Sequence, residues 1–171
     1  MTTFVHIADE RDAPSIIRSG LKLPRVVVPS LGSRPVGVFA LPVVPDFVVT
    51  HQWVRELKRR GFNVAVGVYF RVPDDEAVWA GRYNQDKRQI TAAEASAELA
   101  RERILGYEVI LPRSVPRTEI HRIRPIPQVS GWRYFPDAHE RGIFCGCKFC
   151  MRGQIKSRAI REQYEVRFGQ G

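Results

Sequence analysis

The chain has 171 residues, 44% of them hydrophobic, enough for one sizeable core and rarely for two. Its three cysteines fall between residues 145 and 150, which excludes the disulfide framework of a small secreted fold, and no uncharged apolar run reaches membrane-spanning length. The formal charge of +9 is concentrated late in the chain: residues 113–171 carry 12 Lys and Arg against 5 Asp and Glu, while residues 1–112 carry 15 against 13.

Of the 27 basic residues 22 are arginine, whose planar fork grips phosphates bidentately and stacks on bases. A polyanionic partner fits, either nucleic acid or a pyrophosphate ligand; a solvated, arginine-rich surface is the alternative. The opening "MTTFVHIADERDAP" has no basic segment followed by an apolar stretch, so a soluble, cytoplasmic protein without a membrane partner is expected.

"TFVHIAD" (3–9) reads as a strand. In "RDAPSIIRSGL", Asp12 can cap a short helix, Pro14 sits in its first turn and Gly20 supplies a left-handed stop. "RPVGVFALP" (34–42) is a second strand. "PDFVVTHQWVRELKRRG" reads as one helix with Phe47, Val54 and Leu57 near one face and Gly61 as terminator, and "FNVAVGVYFRV" (62–72) is a third strand. Residues 79–89, "WAGRYNQDKRQ", read as an exposed loop. Thr91 and Glu94 form a capping box for an alanine-rich helix to about Ile104. "GYEVILP" (106–112) returns to strand, and "RTEIHRIRPI" (117–126) alternates Ile120, Ile123 and Ile126 imperfectly with basic residues. "QVSGWRYFPDAHERG" reads as loop and "MRGQIKSRAIREQYEVRF" as a basic helix. A mixed α+β domain follows, with strands outnumbering long helices.

"HERGIFCGCKFC" (139–150) offers three thiolates in Cys-x-Cys-x-x-Cys, Cys145, Cys147 and Cys150. A tetrahedral zinc site closes if a histidine joins; His139 is nearest and His121 the reserve. With four protein ligands no water would be activated, so such a zinc is structural. Three plain thiols beside Phe144 and Phe149 are the other reading, and an iron–sulfur cluster a more distant one.

The strand histidine of "FVHIAD" followed by the "IIRSGL" helix, the strand "GVFALP" followed by a helix, and the strand glutamate of "GYEVILPRSVPRTEI" occur in this order. In that order and spacing the chain resembles the ADP-ribosyltransferase superfamily, and is similar to bacterial toxins that ADP-ribosylate DNA. The resemblance spans residues 3–125. It implies mixed or antiparallel sheets with flanking helices and a catalytic core over 1–126; the cysteine segment lies outside the resemblance, and a basic segment over 127–171 is expected to pack on the same domain and add a small Cys/His metal-binding element.

It further implies transfer of ADP-ribose from NAD to a nucleic acid or protein, with release of nicotinamide. His6 would hydrogen-bond the nicotinamide ribose. Glu108 would bind the ribose 2′-hydroxyl and stabilise the cation formed as nicotinamide leaves, and Phe39, Arg18 and Arg25 would join His6 in holding NAD. The family's middle motif presents an aromatic or hydroxyl side chain to the nicotinamide, where this chain has Thr50 and His51. Arg82 and Tyr83 would reach a target base or phosphate.

Two other functions compete. A tRNA 2′-phosphotransferase shares the strand histidine and the following helix but relies on arginines, here Arg25 and Arg34, and has no closing glutamate. A non-catalytic, zinc-containing nucleic-acid-binding module would use the basic helix at 152–167 and consume no NAD.

Overall fold

The computed structural model describes residues 1–23 and 35–132, which form one seven-stranded, wholly antiparallel sheet with few helices. Its strands are β1 (Thr2–Asp9), β2 (Val38–Pro42), β3 (Ala65–Val72), β4 (Ala77–Arg82), β5 (Arg88–Thr91), β6 (Tyr107–Leu111) and β7 (Ile120–Pro125), in the spatial order β5-β4-β6-β2-β1-β3-β7. The helices are α1 (Ala13–Ser19), α2 (Phe47–Thr50), α3 (Val54–Arg59) and α4 (Ala92–Glu102). No helix among the described residues is long and apolar enough to cross a membrane.

The β1–β2 seam decides where a site can form. β1 pairs with β3 along its whole length, from Thr2 opposite Val72 to Asp9 opposite Ala65. With β2 it pairs only at Phe4 and Val5, opposite Pro42 and Leu41. The sheet is therefore two blocks, β1-β3-β7 and β2-β6-β4-β5, joined by a short ladder. Phe4 fills the joint, fully buried and stacked on Phe70 at 6.0 Å between ring centroids. Helix α4 lays Ala92, Ala95 and Leu99 into the same core, a spacing that keeps them on one helical face.

Local signals explain most elements. The capping box is present, with Thr91 Oγ1 accepting from Glu94 N at 3.2 Å and Glu94 Oε2 accepting from Thr91 N at 2.8 Å. The left-handed Arg103 follows the last turn of α4. Gly20 ends α1 at φ +74°, and the backbone of Val115 comes so close that no side chain fits there.

The strand β7 carries a bulge. Arg122 faces Tyr69 while Ile120 faces Phe70, so His121 is the extra residue. Ile120 and Ile123 thus both turn inward although three residues apart, which accounts for the imperfect alternation in the sequence.

Two expectations are corrected. The helix expected over "PDFVVTHQWVRELKRRG" breaks into α2 and α3 at His51, whose backbone leaves the helical region, and the side chains of His51 and Gln52 take the carbonyls of Phe47 and Val49. Thr50 Oγ1 bonds both the amide and the carbonyl of Val44 at 3.0 Å, and His51 Nδ1 bonds the Phe47 carbonyl at 2.9 Å. Phe47 lies outside the core, 39% exposed, and Val49 takes the buried position with Val54. Residues 79–89 form a hairpin of β4 and β5 rather than a loop, turning through a left-handed Asn84.

The packed body continues beyond 126. Buried Gln128 accepts from the Ala65 amide and donates to the Ala65 carbonyl, both at 2.8 Å, and Trp132 N donates to Gln52 O at 2.6 Å.

Asp9 closes β1. Its carboxylate, 4% exposed, accepts from Arg11 N, Nε and Nη2 and from Asn63 N at 2.9–3.0 Å. The Arg11 guanidinium beside it holds its pKa far below the usual carboxylate range, against the opposing effect of burial. A carboxylate of depressed folded pKa stabilises the fold above its unfolded value of about 3.9, and that stability is lost as pH falls below it. Thermal unfolding should therefore show a melting temperature that drops steeply between about pH 5 and pH 2, with Asp9→Asn less stable at neutral pH and less sensitive over that window.

Candidate active site

Past Val5 the β1–β2 ladder ends, and a cleft of about 490 Å³ opens, lined among others by His6, Phe39, Trp53, Arg60, Tyr83 and Glu108. His6 comes from β1, Phe39 from β2 and Glu108 from β6, so the cleft collects residues from both blocks of the sheet.

His6 Nδ1 lies 2.6 Å from the carbonyl of Phe39. A carbonyl only accepts, so Nδ1 carries the hydrogen and Nε2 is the acceptor nitrogen. Burial pushes its pKa down, against the opposing Phe39 bond and the field of Asp12. The imidazole is therefore neutral near pH 7.

Glu108 sits between Tyr107 and Val109, both fully buried, and strand alternation turns it to the other side. Its Oε2 is 3.1 Å from Lys87 Nζ, and the pair is nearly enclosed, 7% exposed at Lys87 and 13% at Glu108. Lys87 also donates to the carbonyls of Arg82 at 2.6 Å and Gln85 at 2.9 Å, so one ammonium ties the β4–β5 turn to the carboxylate. Gly81, directly opposite Glu108, makes this possible: a Cβ there would lie 2.8 Å from Asp86 O and 3.1 Å from Lys87 Cδ.

One wall is aromatic. Trp53 and Tyr83 line it and meet Trp132, which is not among the lining residues, edge to face with centroids 4.6–5.7 Å apart, and Arg60 lies over Tyr83 while donating to its hydroxyl at 3.1 Å. Trp53 Nε1 donates to Tyr107 O at 2.6 Å, fastening this wall to the strand of Glu108.

Of the residues singled out in the sequence, His6, Phe39, Tyr83 and Glu108 are brought together. Thr50 and His51 are not among the cleft-lining residues. Both are buried, and beyond the bonds at the helix break, His51 Nε2 accepts from the Tyr69 hydroxyl at 2.8 Å. Burial holds His51 neutral as well. Arg18 is exposed on α1, and Arg82 is exposed at the end of β4; neither lines the cleft. Neither a family model, nor a curated protein, nor a solved structure matches the chain.

Arg25, Arg34, His139, Cys145, Cys147 and Cys150, with the basic helix of 152–167, lie outside the described residues. The reserve ligand His121 is exposed on β7, and no group of three or more potential metal ligands occurs among the described residues. Trp53, Arg60 and Lys87 are not legible in the sequence as site residues. Arg60 reads as the basic last turn of a helix and Lys87 as one charge in a polar turn; only the tertiary packing aims them at the cleft.

Proposed function

We propose that the chain is an NAD-dependent ADP-ribosyltransferase with an ADP-ribosyltransferase-like fold, acting in the cleft between β1 and β2. One observation carries the reading: His6 and Glu108, far apart in the chain and on strands separated by β2, line one cleft of about 490 Å³, within the roughly 300–1,000 Å³ usual for small-molecule sites. Nε2 of His6 accepts a hydrogen bond from a ribose hydroxyl. The Glu108 carboxylate accepts from the 2′-hydroxyl and opposes the positive charge that grows on the ribose as its bond to nicotinamide breaks.

Nicotinamide leaves with the bonding electron pair, an acceptor oxygen or nitrogen bonds the ribose carbon, and the acceptor's proton passes to solvent. With Thr50 and His51 engaged in the fold, Tyr83 and Trp53 are the aromatic groups that fit the stacking role. A zinc held by Cys145, Cys147, Cys150 and His139, or His121 in its place, belongs to the same proposal as a structural element.

Incubation with NAD labelled in its nicotinamide, with and without nucleic acid or protein, should release free nicotinamide, and mass spectrometry should find added ADP-ribose on one polymer class. A protein that neither binds NAD nor releases nicotinamide overturns the reading. The non-catalytic binding module then takes its place, and the enclosed Lys87–Glu108 pair is the observation that favours it, since such a pair also serves structure alone.

A further inference from the structure

We infer that the β3–β7 edge of the sheet is a nucleic-acid-binding surface on which Arg71, Arg122 and Arg124 contact phosphates. Six of the fourteen arginines of the described residues are matched. Arg11, Arg59, Arg88, Arg101, Arg103 and Arg113 each stand against a carboxylate. Arg71, Arg122 and Arg124 are exposed and have no carboxylate partner among the described residues.

The fold gathers these three on one side of one edge. Arg122 faces Tyr69 and Arg124 faces Gly67 across the β3–β7 ladder, and Arg71 follows Tyr69 by two residues. Residues two apart on a strand share a face and lie about 7 Å apart, and adjacent strands are about 4.8 Å apart. The three guanidiniums therefore rise from a patch roughly the width of two strands. Arg124 is pre-set there, its guanidinium carbon 4.7 Å from the centroid of the Tyr69 ring.

The bulge adds the exposed His121 to the same edge. Burial first, and then the fields of Arg71 and Arg122, hold its pKa below the ordinary histidine value. Like charges so close repel one another, and a polyanion relieves that repulsion.

Arginine is the side chain suited to bidentate phosphate contact, and β7 itself lies within residues 113–171, where basic residues outnumber acidic ones 12 to 5. The edge strand β7 lies three strands from β2 in the order β2-β1-β3-β7, in the same sheet as the β1–β2 cleft. The surface rests on these charges and not on the chemistry proposed for the cleft.

The test is fluorescence anisotropy of labelled single-stranded DNA, RNA of the same sequence and duplex DNA, titrated with the full chain without NAD at about 50 to 200 mM salt. The parent should bind with log affinity falling linearly in log salt. Arg71→Gln/Arg122→Gln should lower that slope by about 1.4–1.8, from about 0.7–0.9 for each phosphate no longer neutralised, and weaken binding at least tenfold at low salt. Arg101→Gln/Arg103→Gln, which removes two arginines already paired with Glu102 and Asp46, should leave slope and affinity as in the parent.

Nicotinamide release from NAD without nucleic acid should be the same in all three proteins, so failure here and failure of the cleft reading are separately visible. The inference is overturned if the first double variant keeps the parent's slope and affinity, if the parent shows no salt-sensitive binding, or if polyglutamate or anionic vesicles bind as tightly as the oligonucleotides.

Discussion

Glu108→Gln is expected to lower nicotinamide release by 10²-fold or more while NAD still binds. Glutamine keeps the shape and can accept a hydrogen bond, but it lacks the charge that opposes a growing cation, and losing one electrostatic stabiliser has that scale. The same change strips Lys87 of its anionic partner in a nearly enclosed setting, which costs about 1.5–3 kcal/mol of stability for a hydrogen bond to a charged group. A fall in activity alone would therefore confuse chemistry with folding.

Glu108→Gln/Lys87→Met separates them, because it removes both charges and leaves no ammonium to pair. Its melting temperature should recover toward the parent's while release stays low. Should the double variant regain release together with stability, Glu108 is a structural partner of Lys87 and the catalytic carboxylate lies elsewhere.

Gln52→Leu should be the most damaging change away from the cleft. The side chain is fully buried and serves three backbone groups: Nε2 donates to Val49 O at 3.1 Å and Ile104 O at 3.0 Å, and Oε1 accepts from Gly106 N at 2.6 Å. Leucine fills similar space and satisfies none of them. Unpaired buried groups cost about 1–3 kcal/mol each, so a total loss of about 3–5 kcal/mol is expected, a fall of about 10 °C or more in melting temperature. Gly106 opens the strand that carries Glu108, so its amide should also exchange hydrogen faster in the variant. An unchanged melting temperature would mean that water replaces the amide without penalty.

Chemistry written into neighbouring residues is legible in the sequence alone. The Thr91–Glu94 capping box, the stop at Gly20 and the strand around Glu108 depend on residues a few positions apart, and each is found. The orientation of Glu108 follows from Tyr107 and Val109 alone, since a strand turns alternate side chains to opposite faces. The break after Thr50 is not legible, because apolar spacing reports a face but not the non-helical backbone at His51 or the side-chain bonds to the carbonyls of Phe47 and Val49 that accompany it. The bulge at His121 is visible only as a flaw in alternation.

By itself, then, the sequence determined the α+β character, most strands, the capping box of α4 and the uneven charge; Asp12, expected to cap α1, makes no side-chain capping bond, and Asp9 accepts from Arg11 N one turn earlier. Tertiary structure decided which strands became neighbours and where the β1–β2 ladder ended. It thereby decided that His6 and Glu108 share a cleft, that Thr50 and His51 serve the fold, and that Lys87 meets a carboxylate. The pattern along a chain records which side of an element is apolar; what covers that side is a property of segments far apart in sequence, settled only when their surfaces compete for one core.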